Sequence, residues 1–198
     1  PIDPLIINGA ECEPYITCDA RIMVDYAEQF IGGVRLLYRA LNLSGAVIGV
    51  EDNKKPAVDS LTAYLDKNGI SDVRVCVLKT KYPQGAEKQL IYAVTGRKVP
   101  MGALPASVGV VVANVHTALS AFYAVTEGVP LYKRIMTVTG GGIERPANLW
   151  VSNGTLYNDV IEFCGGIKKD VNVVKMINGG PMMGAAVSGG TIACTKTT

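Results

Sequence analysis

Three features are scarce in this sequence of 198 residues, and each absence excludes a class of protein. No apolar run approaches the ~20 consecutive residues of a membrane-spanning helix, so no direct membrane insertion is expected. Charged residues make up only 18% of the chain, which argues against disorder. The net charge of +2 gives no basic surface, so no nucleic-acid partner is expected. Glycine, by contrast, is abundant with 22 residues, which predicts tight turns or close backbone approaches.

Metal-binding and nucleophilic patterns are scarce as well. The five cysteines are odd in number, irregularly spaced and without a C-x-x-C pair, which predicts reduced thiols rather than disulfides, a zinc ribbon or an iron–sulfur run. The single histidine, His116, precedes a predicted helix and is expected on the surface near its cap. Neither G-x-S-x-G nor H-E-x-x-H occurs, so a hydrolase is disfavoured. No catalytic or metal-ligating residue is therefore assigned.

Short apolar runs alternate with helical patterns over residues 1–129. The runs lack clean polar alternation, which suits strands buried on both faces of a parallel sheet. Strands are expected at residues 5–7, 46–50, 73–78 and 108–113, and helices at 26–41, 57–65, 85–94 and 117–126. This order predicts an α/β fold with a mainly parallel Rossmann-like sheet and helices on both faces.

The pattern changes after Pro130, where glycine pairs separate shorter elements. Strands are expected at residues 134–139, 148–152 and 171–177, and a helix at 156–164. Thr155 is expected to cap that helix. A hairpin followed by a helix and a strand predicts a small β-grasp domain over residues 130–198, after a first domain over residues 1–129.

Polar residues follow each predicted strand of the first domain. In a parallel sheet these loops gather at one edge, where ligands bind. Their carboxylates and carboxamides suit a hydroxyl-rich or heterocyclic ligand, and Tyr82 adds an aromatic face. Lys79 and Lys81 offer charges for a phosphate, although no P-loop or G-x-G-x-x-G occurs. For Glu11 and Glu13 the alternative is that they are solvated loop charges. The residues alone indicate an α/β domain that binds a small polar ligand.

Several longer sequence segments resemble those of the C subunit of Rnf/Rsx electron-transport complexes. They are residues 5–19 (LIINGAECEPYITCD), 80–90 (TKYPQGAEKQL), 179–184 (GGPMMG) and 195–198 (TKTT). The chain is more distantly similar to the NADH-oxidising flavoprotein subunit of respiratory complex I. Three loops of that family, Asn-Ala-Asp-Glu-x-Glu-Pro, Tyr-x-x-Gly-Glu-Glu and Asn-Asn-Val-Glu-Thr, correspond to residues 8–14, 82–87 and 113–117.

The resemblance implies FMN and NADH as cofactors and assigns residues to them. Flavin contacts are implied for Asn8, Glu11, Gly85, Asn114 and Thr117, whereas Glu13, Tyr82 and Glu87 are implied toward the flavin ring and nicotinamide. Three positions depart from the family pattern. Ala10, Ala86 and Ala113 stand where the family has an aspartate, a glutamate and an asparagine, so three polar contacts are absent.

The implied activity is transfer of a hydride from NADH to FMN, with electrons passed to iron–sulfur clusters in a membrane ion pump. The family's glycine-rich flavin loop would precede Pro1, and its [4Fe–4S] segment would follow Thr198, so this chain is expected to carry no cluster. As such a central piece it is expected to be inactive in isolation.

The expected partners are NADH and the other subunits of the complex, at the cytoplasmic side of the inner or plasma membrane as a peripheral protein. Two alternatives stay open. One is a cobalamin-reductase-type flavoprotein of the same architecture, and the other is a non-catalytic docking or ligand-binding module.

Overall fold

The computed structural model describes residues 2–196 and divides them into two compact units. The first unit contains residues 2–12 and 19–130, and the second contains residues 13–18 and 131–196. Segment 13–18, which follows the first strand in sequence, thus packs with the second unit. Pro1 lies outside the described residues, as do Thr197 and Thr198, which end the family-like segment at residues 195–198.

The first unit is built on a four-stranded parallel sheet, as the sequence predicts. The strands are β1 (Leu5–Gly9), β2 (Ala46–Glu51), β3 (Val73–Leu78) and β4 (Val111–Asn114), in the order β3-β2-β1-β4. The central strands β1 and β2 are almost wholly buried, which explains their apolar runs. Strand β4 begins later than expected, because a short 3₁₀ helix occupies Pro105–Val108.

Five helices accompany this sheet. They are α1 (Cys18–Asp25), α2 (Ala27–Ala40), α3 (Lys55–Lys67), α4 (Glu87–Thr95) and α5 (Val115–Thr126). The last four confirm the predicted helices, whereas the sequence interpretation missed α1. The signal for α1 was the apolar pair Cys18 and Ile22, four residues apart, and both side chains are buried.

Helices cover both faces of the sheet. On one face, Leu90 and Ile91 of α4 share a buried cluster with Ile6. Because successive side chains of a strand alternate between faces, the buried Leu5 and Ile7 belong to the other face, where α2 and α5 contact each other and the sheet. Helices therefore lie on both faces of the sheet, as predicted.

Helices α2 and α5 approach each other at a glycine. A Cβ on Gly33 would overlap the backbone carbonyl of Ala118. Neither backbone is free to yield, because the surrounding Phe30, Val34 and Leu119 are fully buried. The helix pair thus depends on a residue without a side chain at this point.

The second unit is small and antiparallel, in agreement with the predicted β-grasp class. It contains β5 (Lys133–Val138), β6 (Ala147–Ser152), α6 (Tyr157–Phe163), β7 (Met176–Asn178) and β8 (Ala185–Val187). Strand β5 pairs with β6, and β7 pairs with β8. A buried cluster of Val138, Val151, Tyr157, Val160, Cys164 and Cys194 forms its core.

Two local predictions for the second unit are wrong. Of the strand expected at residues 171–177, only the last two residues belong to β7, and β8 was not expected at all. Thr155 does not cap α6, because Leu156 is the N-cap residue and makes no side-chain cap bond. The backbone of Thr155 instead pairs with Cys194, whose N–H donates to its carbonyl oxygen over 2.7 Å.

Candidate functional site

The carboxyl edge of the parallel sheet has a topological switch point. The chain runs outward from β1 to β2 and β3, and then returns to β4 on the other side of β1. Asn8 and Asn114 are register partners at the carboxyl ends of β1 and β4. In open α/β sheets, ligands bind in the crevice at such a reversal. Two carboxamides therefore stand where the fold itself favours a ligand.

Asn8 ties the end of β1 to the loop that follows β3. Its Nδ2 donates to the Gly85 carbonyl oxygen over 2.8 Å, and its Oδ1 accepts from the Ala10 N–H over 3.3 Å. A Cβ on Gly85 would lie 3.1 Å from Cys12 Sγ, which is tighter than an ordinary contact. Asn8 and Gly85, which the resemblance assigns to flavin contacts, are thus in direct contact with each other. The tight space at position 85 favours glycine there.

Asn114 fixes the start of α5. Its Oδ1 accepts from the His116 N–H over 2.8 Å, which is a side-chain cap, and its Nδ2 donates to Asp19 Oδ2 over 2.7 Å. Thr117 follows in the first turn and is exposed. Asp19, which the sequence interpretation missed, belongs to α1. The missed helix therefore supplies a partner for a candidate site residue.

The prediction that His116 lies on the surface is wrong. Its side chain is buried, and its Nδ1 lies 3.1 Å from Ser120 Oγ one turn further along α5. A hydrogen bond within the same helix satisfies the ring nitrogen and allows the residue to be buried. The apolar pattern of α5 extends to its first turn, where Val115 is also buried.

Glu11 is not a solvated loop charge. Only 2% of its side chain is exposed, and its carboxylate accepts the Asp19 and Ala20 N–H groups over 2.7 and 3.3 Å. Lys54 Nζ lies 3.0 Å from Glu11 Oε2. Glu11 therefore occupies the N-terminus of α1, where a negative charge is favoured.

Burial shifts the proton equilibrium of Glu11. Loss of solvation raises its pKa to about 7, and the charge of Lys54 and the hydrogen bonds from Lys54 and the Asp19 amide only partly oppose this. The nearby charge of Asp19 adds to the increase. Lys54 belongs to the polar loop after β2, and the interpretation from sequence did not pair it with Glu11, since the pair spans 43 residues.

Buried polar groups also follow β2 and β3. Glu51 is 1% exposed and accepts the Lys81 N–H over 3.2 Å, and its burial raises the pKa of its carboxyl group. Gln84 is 3% exposed, and its Oε1 has no hydrogen-bond partner among the described residues. A buried acceptor of this kind calls for a donor, and a ligand hydroxyl or ring N–H would be one. This unmet acceptor, next to Gly85, fits a flavin.

The remaining candidates on this loop are accessible. Tyr82 is 42% exposed, and Glu87 is exposed in the first turn of α4. Lys79 and Lys81, the candidate phosphate contacts, are exposed as well. Among residues 2–196, no group of three or more His, Cys, Asp or Glu side chains is arranged to hold a metal ion.

Glu13 lies in the second unit, although Glu11 lies in the first. Its Oε2 accepts the Met182 N–H over 3.0 Å. A Cβ on Gly180 would overlap the Glu13 carboxylate. The segment Gly179–Gly184 therefore forms a notch around the Glu13 side chain. The sequence comparison with the family did not reveal this contact.

The following residues of segment 13–18 are held by the hairpin of β5 and β6. The N–H groups of Thr17 and Cys18 both donate to Thr137 Oγ1 over 3.1 Å. Asn148 Nδ2 donates to Thr17 Oγ1 over 2.9 Å, and Thr137 Oγ1 donates to Asn148 Oδ1 over 2.7 Å. The bonds of Thr17 and Cys18 to this hairpin join parts of the sequence that are 119 to 131 residues apart.

The sheet, its switch point and the two carboxamides are those of a ligand-binding α/β domain, and family comparison identifies it. Residues 1–122 match the family model described as the Nuo51 FMN-binding domain, so the chain belongs to that family. Residues 135–186 match a model described as the SLBB domain. The β-grasp expectation for the second unit is thereby confirmed.

Curated relatives confirm the resemblance to the Rnf family. The chain is 47% identical over 187 residues to the C subunit of the proton-translocating ferredoxin:NAD(+) oxidoreductase complex of Clostridium ljungdahlii, covering 94% of this chain and 40% of the relative. It is 46% identical to the C subunit of the Na(+)-translocating ferredoxin:NAD(+) oxidoreductase complex of Acetobacterium woodii, covering 92% of this chain and 40% of the relative. The chain thus spans about 40% of the length of these relatives.

A solved structure supports the fold. The NAD+-reducing [NiFe]-hydrogenase in the air-oxidized state matches with a TM-score of 0.70 and 21% identity, covering 82% of this chain and 32% of that chain. Within the described residues, none of the helices is long and apolar enough to cross a membrane.

Proposed function

We propose that this chain forms the ribityl- and ring-binding part of an FMN site in an NADH-oxidising electron-transfer subunit. The single observation that carries the proposal is the match of residues 1–122 to the FMN-binding family, with paired carboxamides at the switch point of the sheet. Residues 1–129 then serve as the flavin- and NADH-binding domain, and residues 130–198 as a β-grasp domain.

The residues divide into two groups in this proposal. Asn8, Gly85, Asn114 and Thr117 line the flavin, and Glu11 supports them through α1 and Asp19. Gln84 Oε1 accepts a hydrogen bond from the ligand. Glu13, Tyr82 and Glu87 belong to the ring and nicotinamide side, by resemblance to the complex I family.

A bound FMN would supply the redox chemistry, as the acceptor of a hydride from NADH and a donor of single electrons. The protein binds and orients the two molecules and sets the local field. Tyr82 is exposed and offers a ring face for stacking. Carboxylates on the ring side oppose added negative charge there. No side chain needs to transfer a proton for hydride transfer itself.

The wider assignment follows from the relatives. The full-length protein is proposed to pass electrons to [4Fe–4S] clusters and to work with the other subunits of an ion-translocating membrane complex, peripherally at its cytoplasmic side. The names of the relatives, which are ferredoxin:NAD(+) oxidoreductase subunits, support this assignment. Activity is assigned to the full-length protein, and the 198-residue chain by itself is proposed to be inactive.

The test uses the full-length protein. We expect it to bind FMN stoichiometrically and NADH to bleach the flavin absorbance. Asn8→Ala should weaken FMN binding to the apoprotein about tenfold, because the hydrogen bond that holds the Gly85 loop against β1 is lost. Asn68→Ala is the matched control, since Asn68 bonds only the end of α3. A full-length protein that binds no flavin would overturn the proposal and favour a docking module.

A further inference from the structure

The loop between β3 and α4 buries a polar residue in preference to its apolar ones. Among residues 79–89, all of which the structure describes, Gln84 alone is buried. Tyr82 and Pro83 of the same loop are exposed. A loop held by packing alone would bury its apolar side chains instead. The burial of this carboxamide therefore calls for a polar partner.

The Oε1 atom of Gln84 has no such partner among the described residues, and the neighbouring donors are already committed. The Gln84 N–H donates to the Lys81 carbonyl oxygen over 2.9 Å. Asn8 Nδ2 donates to the Gly85 carbonyl oxygen, and the Ala10 N–H donates to Asn8 Oδ1. The acceptor is thus available to a donor that a ligand brings.

Gln84 is held beside the end of β1, within the first unit. A Cβ on the adjacent Gly85 would lie 3.1 Å from Cys12 Sγ and 3.5 Å from the Ala10 Cβ. Ala10 is fully buried, and Ala86 follows Gly85 in the chain. Both alanines stand where the family pattern has a carboxylate. Gln84 is therefore a buried acceptor between two positions that have lost theirs.

We infer that Gln84 is a specificity-determining residue of the flavin site: its carboxamide pairs with the imide edge of the flavin ring and replaces the acceptors that are absent at positions 10 and 86. The inference rests on the proposed function for the identity of the ligand. A carboxamide presents an acceptor beside a donor, and the imide edge presents an N–H beside a carbonyl, so two hydrogen bonds match. A ribityl hydroxyl would match only one of these groups.

Gln84→Met tests this role, because it keeps the length of the side chain and removes both polar groups. Gln89→Met is the matched control, since Gln89 is exposed in α4. In the full-length apoprotein, Gln84→Met should unfold at the same temperature as the control or higher, because an unpartnered buried acceptor is removed. A midpoint more than about 3 °C below that of the control would show a packing role and overturn the inference.

The second measurement is calorimetric titration of the full-length apoproteins with FMN and with 3-methyl-FMN, which lacks the imide N–H. The wild type and Gln89→Met should bind FMN at least about tenfold more tightly than the methylated analogue. Gln84→Met should bind FMN about tenfold more weakly than the wild type and retain a preference of about twofold or less. A wild-type preference in Gln84→Met would overturn the imide pairing.

An FMN analogue without the ribityl hydroxyls identifies the donor. Gln84→Met should keep the wild-type preference for FMN over this analogue. Loss of that preference, with the preference over 3-methyl-FMN retained, would assign Gln84 to the ribityl chain and overturn the inference. If the wild type binds FMN and Gln84→Met binds all three flavins equally well as the wild type, the inference fails and the proposed function stands. A wild type that binds no flavin overturns both.

Discussion

Glu11 and Glu13 are two residues apart, but they are held in different units by different interactions. In the first unit, Glu11 is buried, paired with Lys54 and bonded to two amides of α1. In the second unit, Glu13 accepts the Met182 N–H in a notch beside Gly180. The first carboxylate is fixed by charge and burial, and the second by its fit to a loop. Removing the partners of Glu11 should therefore lower the stability of the protein far more than removing those of Glu13.

Gly33 and Gly180 show the same contrast at the level of single contacts. A side chain at Gly33 would meet the backbone of α5, whereas a side chain at Gly180 would meet the end of Glu13. Backbone in packed helices cannot move independently, while a glutamate side chain has three rotatable bonds. The close contact at Gly33 is thus rigid, and the contact at Gly180 is adaptable.

Among the substitutions that test this comparison, Gly33→Ala should have the largest effect on the free energy of unfolding. Because α2 and α5 must separate to admit the Cβ, we expect a loss of about 3 kcal/mol in the free energy of unfolding. Urea denaturation of the full-length protein measures it, with Gly189→Ala as the control, since a Cβ at Gly189 would have no heavy atom within 4 Å. A Gly33→Ala protein as stable as the control would contradict the rigid packing of the first unit.

Lys54→Met should have the next largest effect, and the effect should depend on pH. At pH 8 it leaves the buried Glu11 carboxylate without its cation, which costs about 2 kcal/mol. Lys55→Met is the control, since its pair with Asp59 is exposed and contributes little. Urea denaturation at pH 5 and pH 8 provides the measurement.

The sign of the pH dependence follows from Glu11. Its pKa is about 7 in the folded chain and near the ordinary 4.5 when unfolded. The folded state therefore holds a proton that the unfolded state releases, and stability falls as pH rises from about 4.5 to about 7. At pH 5 Glu11 is neutral, so Lys54→Met should cost little. Equal losses at both pH values would refute a buried Glu11 charge.

Asn114→Ala should have an intermediate effect. It removes the cap of α5 and the bond to Asp19, for an expected loss of about 1 kcal/mol. Asn114→Ser keeps a capping oxygen and should recover most of that stability. Thermal unfolding of the two variants compares them directly, and a serine variant as unstable as the alanine variant would rule out the capping role.

Glu13→Gln should have the smallest effect. The amide oxygen still accepts from the Met182 N–H, so the expected change in unfolding free energy is below about 0.5 kcal/mol. Differential scanning calorimetry measures it beside Glu11→Gln. A larger change for Glu13→Gln than for Glu11→Gln would reverse the comparison between the units.

The sheet of the first unit was predictable because strands that are buried on both faces consist of short apolar runs, which are visible in the sequence. The strand from Val73 to Leu78 has the predicted bounds, and the parallel order follows from the intervening helices. Helix α1 escaped prediction because its first turn is stabilised from outside, by the Glu11 carboxylate. A helix of eight residues shows only two turns of periodicity, which is a weak signal.

The candidate site was predictable in its residue types but not in its contacts. Asn8 and Asn114 follow predicted strands, and a parallel sheet brings strand ends together. The ion pair of Glu11 with Lys54 and the bond of Glu13 to Met182 join residues 43 and 169 apart. Such pairs depend on how the loops pack, and local propensity carries no signal of them.

Segment 13–18 has a practical consequence for dividing or recombining the protein. Cutting the chain after Pro130 would separate Thr137, Asn148 and the Met182 amide from the six-residue segment that satisfies them. A transplanted second unit therefore needs this segment with it, either grafted onto its terminus or supplied as a peptide. A chimera between two relatives therefore needs three crossover points, one on each side of residues 13–18 and one near residue 130.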